Sequence, residues 1–163
     1  MLRGGISGAR WIDVENYHIT LRFIGDVDER MASEAAETLD EIRRPPFLVA
    51  LEGLSWFGAD KPRAIVARIK STAPLVELQA DQEWRLRRIG LPPEPRKYIP
   101  HVTLARLRSS SPHAVANYLG TRGFFPLRHF EATRFLLFSA RESTGGGPYL
   151  IEATYGLRAS GAP

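Results

Sequence analysis

The sequence contains no cysteine, which excludes disulfides, thiolate nucleophiles and cysteine-based zinc sites. Polar chemistry must therefore rest on His, Asp, Glu, Ser, Thr, Lys or Arg. Lysine is scarce as well: Lys61, Lys70 and Lys97 are the only ones among 22 basic residues, so the formal net charge of +4 is carried mainly by arginine. Guanidinium is shaped for bidentate phosphate contacts, which makes a polyanionic partner one reading of the charge; merely solvated arginines are the other. No stretch approaches the roughly 20 consecutive apolar residues that a membrane helix needs, and the start, MLRGGISGARW, lacks the apolar run of a secretory signal. A soluble cytoplasmic protein with no membrane contact is expected.

What is present suits one domain over residues 1–163, since 44% of the 163 residues are hydrophobic and that length supports one core. Residues 18–24, HITLRFI, alternate His18, Thr20 and Arg22 on one face with Ile19, Leu21 and Phe23 on the other, the period of a half-buried strand. From Asp28 to Arg43, Met31, Ala35, Leu39 and Ile42 fall at helical spacing, and Pro45-Pro46 ends the pattern. The β-forming runs 47–57 and 63–70, separated by Gly58-Ala59-Asp60-Lys61-Pro62, read as an antiparallel hairpin. A second helix is expected from Pro74, turning Leu75, Leu78, Leu86 and Ile89 inward before Gly90 and the following prolines stop it.

From residue 101 the same order returns: a strand HVTLARL, a short helix from Pro112 to about Leu119, then strands near 128–140 and 148–157 joined through Gly145-Gly146-Gly147. This is a degenerate internal repeat of strand, helix and hairpin. The expected fold is α+β: a two-lobed, pseudo-twofold duplication of these units, with antiparallel sheets lining a central groove and helices outside. One lobe contains 18–90 and the other 101–157. The leading strands would then set His18 and His101 facing each other.

Those two strands open with the same tetrad, His-x-Thr-Leu, at His18 to Leu21 and His101 to Leu104. Two matches by chance are expected in about one of a few thousand chains of this composition. Paired imidazoles suit phosphodiester cleavage, because one takes a proton from the attacking oxygen while the other gives one to the leaving oxygen. Thr20 and Thr103, two residues along the same faces, can donate hydroxyls to a phosphate oxygen. Either histidine taken singly reads more simply as a hydrogen-bonded, half-buried strand residue. A bis-histidine metal site is a third reading, but neither motif has a nearby third histidine, and threonine is a poor zinc ligand; no metal and no cofactor are expected. His113 and His129 read as surface residues. Trp11, Trp56 and Trp84 could stack a base, though a tryptophan in a small domain is more often core.

The segments ENYHITLRFIGDV and YIPHVTLARL resemble the two signature strands of the 2H phosphoesterase superfamily, in particular the RNA 2′,3′-cyclic phosphodiesterases also called 2′-5′ RNA ligases. The likeness extends to WIDVENYHITL, LEGLSWFGADKPRAIVARI and LFSARESTGGGPYLIEATYGL, covering nearly the whole chain. It implies hydrolysis of a 2′,3′-cyclic phosphate terminus to a 2′-phosphate, with His18 as general acid, His101 as general base, and Thr20 and Thr103 on the phosphate. The implied partner is RNA with a cyclic phosphate end, tRNA-like or another oligonucleotide; joining or cleaving 2′-5′ linkages is a further activity that the resemblance implies. Arg106 matches the family's phosphate-binding arginine, yet simple alternation puts it on the face opposite His101, so a bend or bulge after Leu104 must re-aim it.

Relatives usually begin with a further strand and helix, roughly 25 residues that this sequence does not include. Either the true start lies upstream, or the sheet has an unpaired edge that a partner chain would have to cover or that stays an aggregation risk; a monomer is expected, with a dimer as the alternative if the strand is truly absent. A non-catalytic RNA- or nucleotide-binding module on the same fold is the competing function. A small cyclic nucleotide or an ADP-ribose cyclic phosphate is the competing substrate.

Overall fold

The computed structural model describes residues 2–122, 128–140 and 147–161. The chain runs β1 (Ala9–Trp11), a 3-10 turn (Val14–Asn16), α1 (Glu29–Asp40), β2 (Phe47–Phe57), β3 (Ala64–Ile69), α2 (Ala73–Arg88), β4 (His101–Leu107), α3 (Pro112–Arg122), β5 (His129–Ala132), β6 (Arg134–Ser139) and β7 (Leu150–Gly156). It is an α+β arrangement, as the alternation of periods implies. The helices start where their chemistry dictates: the Asp28 carboxylate accepts from the Met31 backbone N–H at 2.8 Å, satisfying one of the donors that a helix N-terminus leaves unpaired. Proline stands in the first turn of α2, where its missing N–H costs nothing.

Five strands form one antiparallel sheet in the order β1-β4-β3-β2-β5, and β6 pairs with β7 in a second. On the large sheet, Ile65, Ala67, Leu104, Ala105 and Leu107 pack with Val115 and Tyr118 of α3. Further along the same face, Val49 and Ile69 pack with Leu39 of α1 and with Leu75, Leu78 and Leu86 of α2. Leu78 and Leu86 are 2% and 1% exposed; burying such a side chain stabilises by about 1.5–3 kcal/mol. The helices therefore cover one face of the sheet and leave the alternate residues of β3 and β4 on the other.

Three departures from the sequence expectation concern the strands. Residues 18–24 do not form a strand; they contribute a single antiparallel bridge, Ile19 with Val102. The reason lies in β4, whose free edge is already occupied: Ala9, Arg10 and Trp11 pair with Leu107, Arg106 and Ala105, and the Ile12 N–H donates to Leu104 O at 2.9 Å. After the 3-10 turn the chain returns to that edge with little of it left. Arg22, expected on the face of His18 and Thr20, is instead drawn away: its guanidinium ion-pairs with Glu83 of α2 and donates to the carbonyls of Phe23 and Pro92.

The strand expected over 128–140 breaks at Thr133, so that β5 joins the edge of β2 while β6 pairs with β7. One run of sequence thus serves both sheets. The repeat units are also interleaved rather than side by side, because β4, which leads the second unit, pairs with β3 of the first unit's hairpin. Gly145 and Gly146 lie outside the described residues. Among the described residues, no helix is long and apolar enough to cross a membrane.

Candidate active site

The Ile19–Val102 bridge fixes the register of the two motifs. Extended by one residue each way, antiparallel pairing sets His18 opposite Thr103 and Thr20 opposite His101, all four on one face. Ile19 and Val102 point the other way, packed against the core. Directly opposite side chains in such a pair have Cβ atoms about 4.5–5.5 Å apart, and diagonal ones, as His18 and His101 are, roughly 7–8 Å. The two rings are half-buried.

Each imidazole is oriented in the same manner. His18 Nδ1 lies 2.8 Å from Asn16 O, and His101 Nδ1 lies 2.7 Å from Ile99 O. A carbonyl can only accept, so in both rings Nδ1 carries the proton and donates, leaving Nε2 for chemistry. The acceptor stands two residues before the histidine in both motifs, a symmetry invisible in the sequence because a backbone carbonyl has no side-chain signature.

Aromatic rings hold the imidazoles edge-on. His18 meets Tyr149 with centroids 5.0 Å apart and Phe138 at 5.8 Å, and those two rings stack on each other at 5.4 Å. His101 meets Phe57 at 4.7 Å and 89°. The pairing is crossed between repeat units: the first unit's histidine is braced by the second unit's hairpin, and the second's histidine by the first unit's hairpin. Sequence reasoning passed over Phe57, Phe138 and Tyr149; comparing the hairpin ends SWFGAD and LLFSAR would have matched Phe57 with Phe138.

Arg106 is re-aimed by a bulge. Thr103 pairs with Val66 and Ala105 with Ile65, so Leu104 is an extra residue on β4. Leu104 and Ala105 are both buried, at 6% and 0% exposure, and the alternation restarts with Arg106 exposed on the face of His101 and Thr103. Arg106 stands directly across from Arg10 of β1. The five residues singled out in the sequence, His18, Thr20, His101, Thr103 and Arg106, thus come together on one face.

The remaining candidates do not join them. His113 and His129 are exposed on α3 and β5. Trp11 packs against Tyr118 at 6.0 Å, Trp56 packs on the same cluster, and Trp84 is exposed on α2 with the Arg88 guanidinium 4.7 Å above its ring. Among the described residues, no group of three or more His, Asp or Glu gathers as metal ligands would. The connector into the second motif is anchored by Tyr98, which packs against the core; burial pushes its phenol above the ordinary value.

Comparison with known proteins gives a consistent picture. The sequence model of the LigT-like phosphoesterase family matches residues 2–66 and 69–149. An RNA 2′,3′-cyclic phosphodiesterase of Aeropyrum pernix is 40% identical over 61% of this chain and 57% of its own length. One of Thermotoga maritima is 35% identical over 62% of this chain and 55% of its own. The chain therefore spans a little over half the length of these curated relatives. Among solved structures, a Thermus thermophilus protein superposes with a TM-score of 0.80 at 19% identity, covering 98% of this chain and 87% of its own. The Escherichia coli LigT complex with 3′-AMP gives 0.69 at 21%, covering 92% and 82%. At such identity the likeness is one of fold.

Proposed function

This chain belongs to the LigT-like phosphoesterases, and on that premise we propose that it hydrolyses a 2′,3′-cyclic phosphate at an RNA end to a 2′-phosphate, by acid-base catalysis on two histidines without a metal. The observation that carries the reading is the Ile19–Val102 bridge, because it sets the two His-x-Thr tetrads side by side. His101 takes a proton from the attacking water through Nε2, while His18, protonated, gives one to the departing 3′-oxygen. Thr20, Thr103 and Arg106 hold the non-bridging oxygens and meet the charge that builds on them. With a 5′-hydroxyl in place of water, the same two groups join ends through a 2′-5′ linkage. The units 18–90 and 101–157 are read as lobes of one domain, in a cytoplasmic enzyme.

The test is turnover in EDTA of an RNA bearing a cyclic phosphate end, with the 2′-phosphate identified as product. Loss of either histidine is expected to cost about 10²–10⁴ in rate. Full activity in the His18→Ala, His101→Ala double variant would overturn the reading; RNA binding without any turnover would make the chain a binding module.

A further inference from the structure

Beside His101, on the neighbouring strand, stands an arginine that the two-histidine mechanism does not use. Arg68 pairs in register with His101 across β3 and β4. Ile65, Ala67 and Ile69 of the same strand are buried in the core clusters, so alternation turns Arg68 to the face that carries the candidate site. It is exposed in a strand whose other residues, Ala64 to Ile69, are all buried. No ion pair to a carboxylate is found for it among the described residues.

Gly53 of β2 pairs with Arg68 from the other side, and among the described residues a Cβ built on Gly53 would meet nothing within 4 Å. The row that begins at Thr20 and His101 thus continues through Arg68 to Gly53, which carries no side chain. Phe57 reaches His101 from β2. An exposed guanidinium in that row, one strand away from the phosphate-handling histidine, has the reach and charge for a second phosphate.

We propose that Arg68 binds the backbone phosphate next to the reacting one, so that the site prefers an RNA chain over a mononucleoside cyclic phosphate. This rests on the phosphodiesterase reading and adds a specificity-determining residue to it. A mononucleoside cyclic phosphate carries only the reacting phosphate, whereas an oligonucleotide brings a second anion attached to the same ribose. Arg68 therefore contributes to one substrate class far more than to the other.

The experiment compares Arg68→Gln and Arg68→Lys with the wild type on two substrates, a mononucleoside 2′,3′-cyclic phosphate and a short RNA ending in one. The ratio of kcat/KM for RNA to that for the mononucleotide is expected to fall about tenfold in Arg68→Gln, with partial recovery in Arg68→Lys. The salt dependence of RNA binding should lose a slope of about 0.7, one phosphate contact on a single strand. An equal fall on both substrates would overturn the proposal by placing Arg68 at the reacting phosphate or on His101, and so would an unchanged ratio. If the wild type turns over neither substrate, the parent reading fails, and affinity for an RNA ending in a 2′-phosphate then decides. A tenfold loss of binding in Arg68→Gln upholds the phosphate contact, and unchanged binding removes it.

Discussion

Ile19 faces Val102 across an isolated antiparallel bridge, and through that contact two segments more than eighty residues apart in sequence present their histidines on one surface. The bridge alone is a weak hold. The His18 segment has no strand around it, so its position depends on what pins its ends: the Asn16 carbonyl and the Tyr149 ring before the bridge, the Arg22 clamp after it.

The Arg22–Glu83 pair is the one of these clamps that is an ion pair. Its side chains are 6% and 19% exposed, and Glu83 also accepts from the Glu94 backbone N–H at 3.1 Å, tying the first motif to the connector that leads into the second. Arg22→Ala leaves Glu83 unpaired in a largely dry place, for which about 3–5 kcal/mol of destabilisation is expected. Arg22→Met combined with Glu83→Gln should restore much of the stability but not kcat, because the segment is no longer held. Denaturant unfolding beside turnover measures both; full kcat in the stable double variant would show that the clamp does not position His18.

Gly147 approaches the same segment from the other side. Its φ is +88°, and a Cβ there would lie 2.5 Å from the Asn16 side chain. Gly147→Ala therefore adds both backbone strain and a clash, about 1–3 kcal/mol, and displaces the residue whose carbonyl orients His18. A lower melting temperature with a loss of kcat is expected; a variant that melts and reacts like the wild type would contradict the contact.

Arg106 reaches the site only because Leu104 is extra in β4. Arg106→Lys keeps the charge and loses the fork, so an activity loss of at least about tenfold is expected on a cyclic phosphate substrate. Removing Leu104 takes out the extra residue, so Ala105 follows Thr103 in plain alternation and Arg106 keeps its face; the expected outcome is a stability loss of about 2–5 kcal/mol from the missing core side chain, with the contribution of Arg106 to activity retained. Activity and folding of these two variants check the bulge.

Tyr98 offers a stability test. Its hydroxyl is buried with no hydrogen-bond partner among the described residues, and leaving a polar group so costs about 1–3 kcal/mol. Tyr98→Phe is expected to be neutral or stabilising. Burial raises the folded-state value above that of the unfolded chain, so the unfolded state ionises first. The wild type should lose stability as pH rises past about 10, and Tyr98→Phe should lose less. Urea melts at neutral and alkaline pH report the difference; equal losses would contradict it.

Much of this was legible in the sequence wherever one period governed one element. The apolar spacing of Leu75, Leu78 and Leu86 found α2, Asp28 found the start of α1, and the repeated tetrad marked the two segments that the Ile19–Val102 bridge joins. What stayed hidden depends on competition between distant segments. HITLRFI has the period of a strand, but β1 already occupies the β4 edge that it would need. The run through Thr133 reads as one strand because nothing local shows that β2 and β7 each take half of it. The crossed bracing of His18 by Phe138 and of His101 by Phe57 arises only when two hairpins meet.

The central claim, that both imidazoles work on one phosphate, is tested most directly by a double-mutant cycle on turnover of cyclic phosphate RNA. His18→Ala and His101→Ala are each expected to lose about 10²–10⁴ in kcat, and the double variant little more than the worse single one, because groups that act as a unit fail together. A single variant that keeps wild-type kcat, or losses that simply multiply, would show that the two rings do not share a substrate.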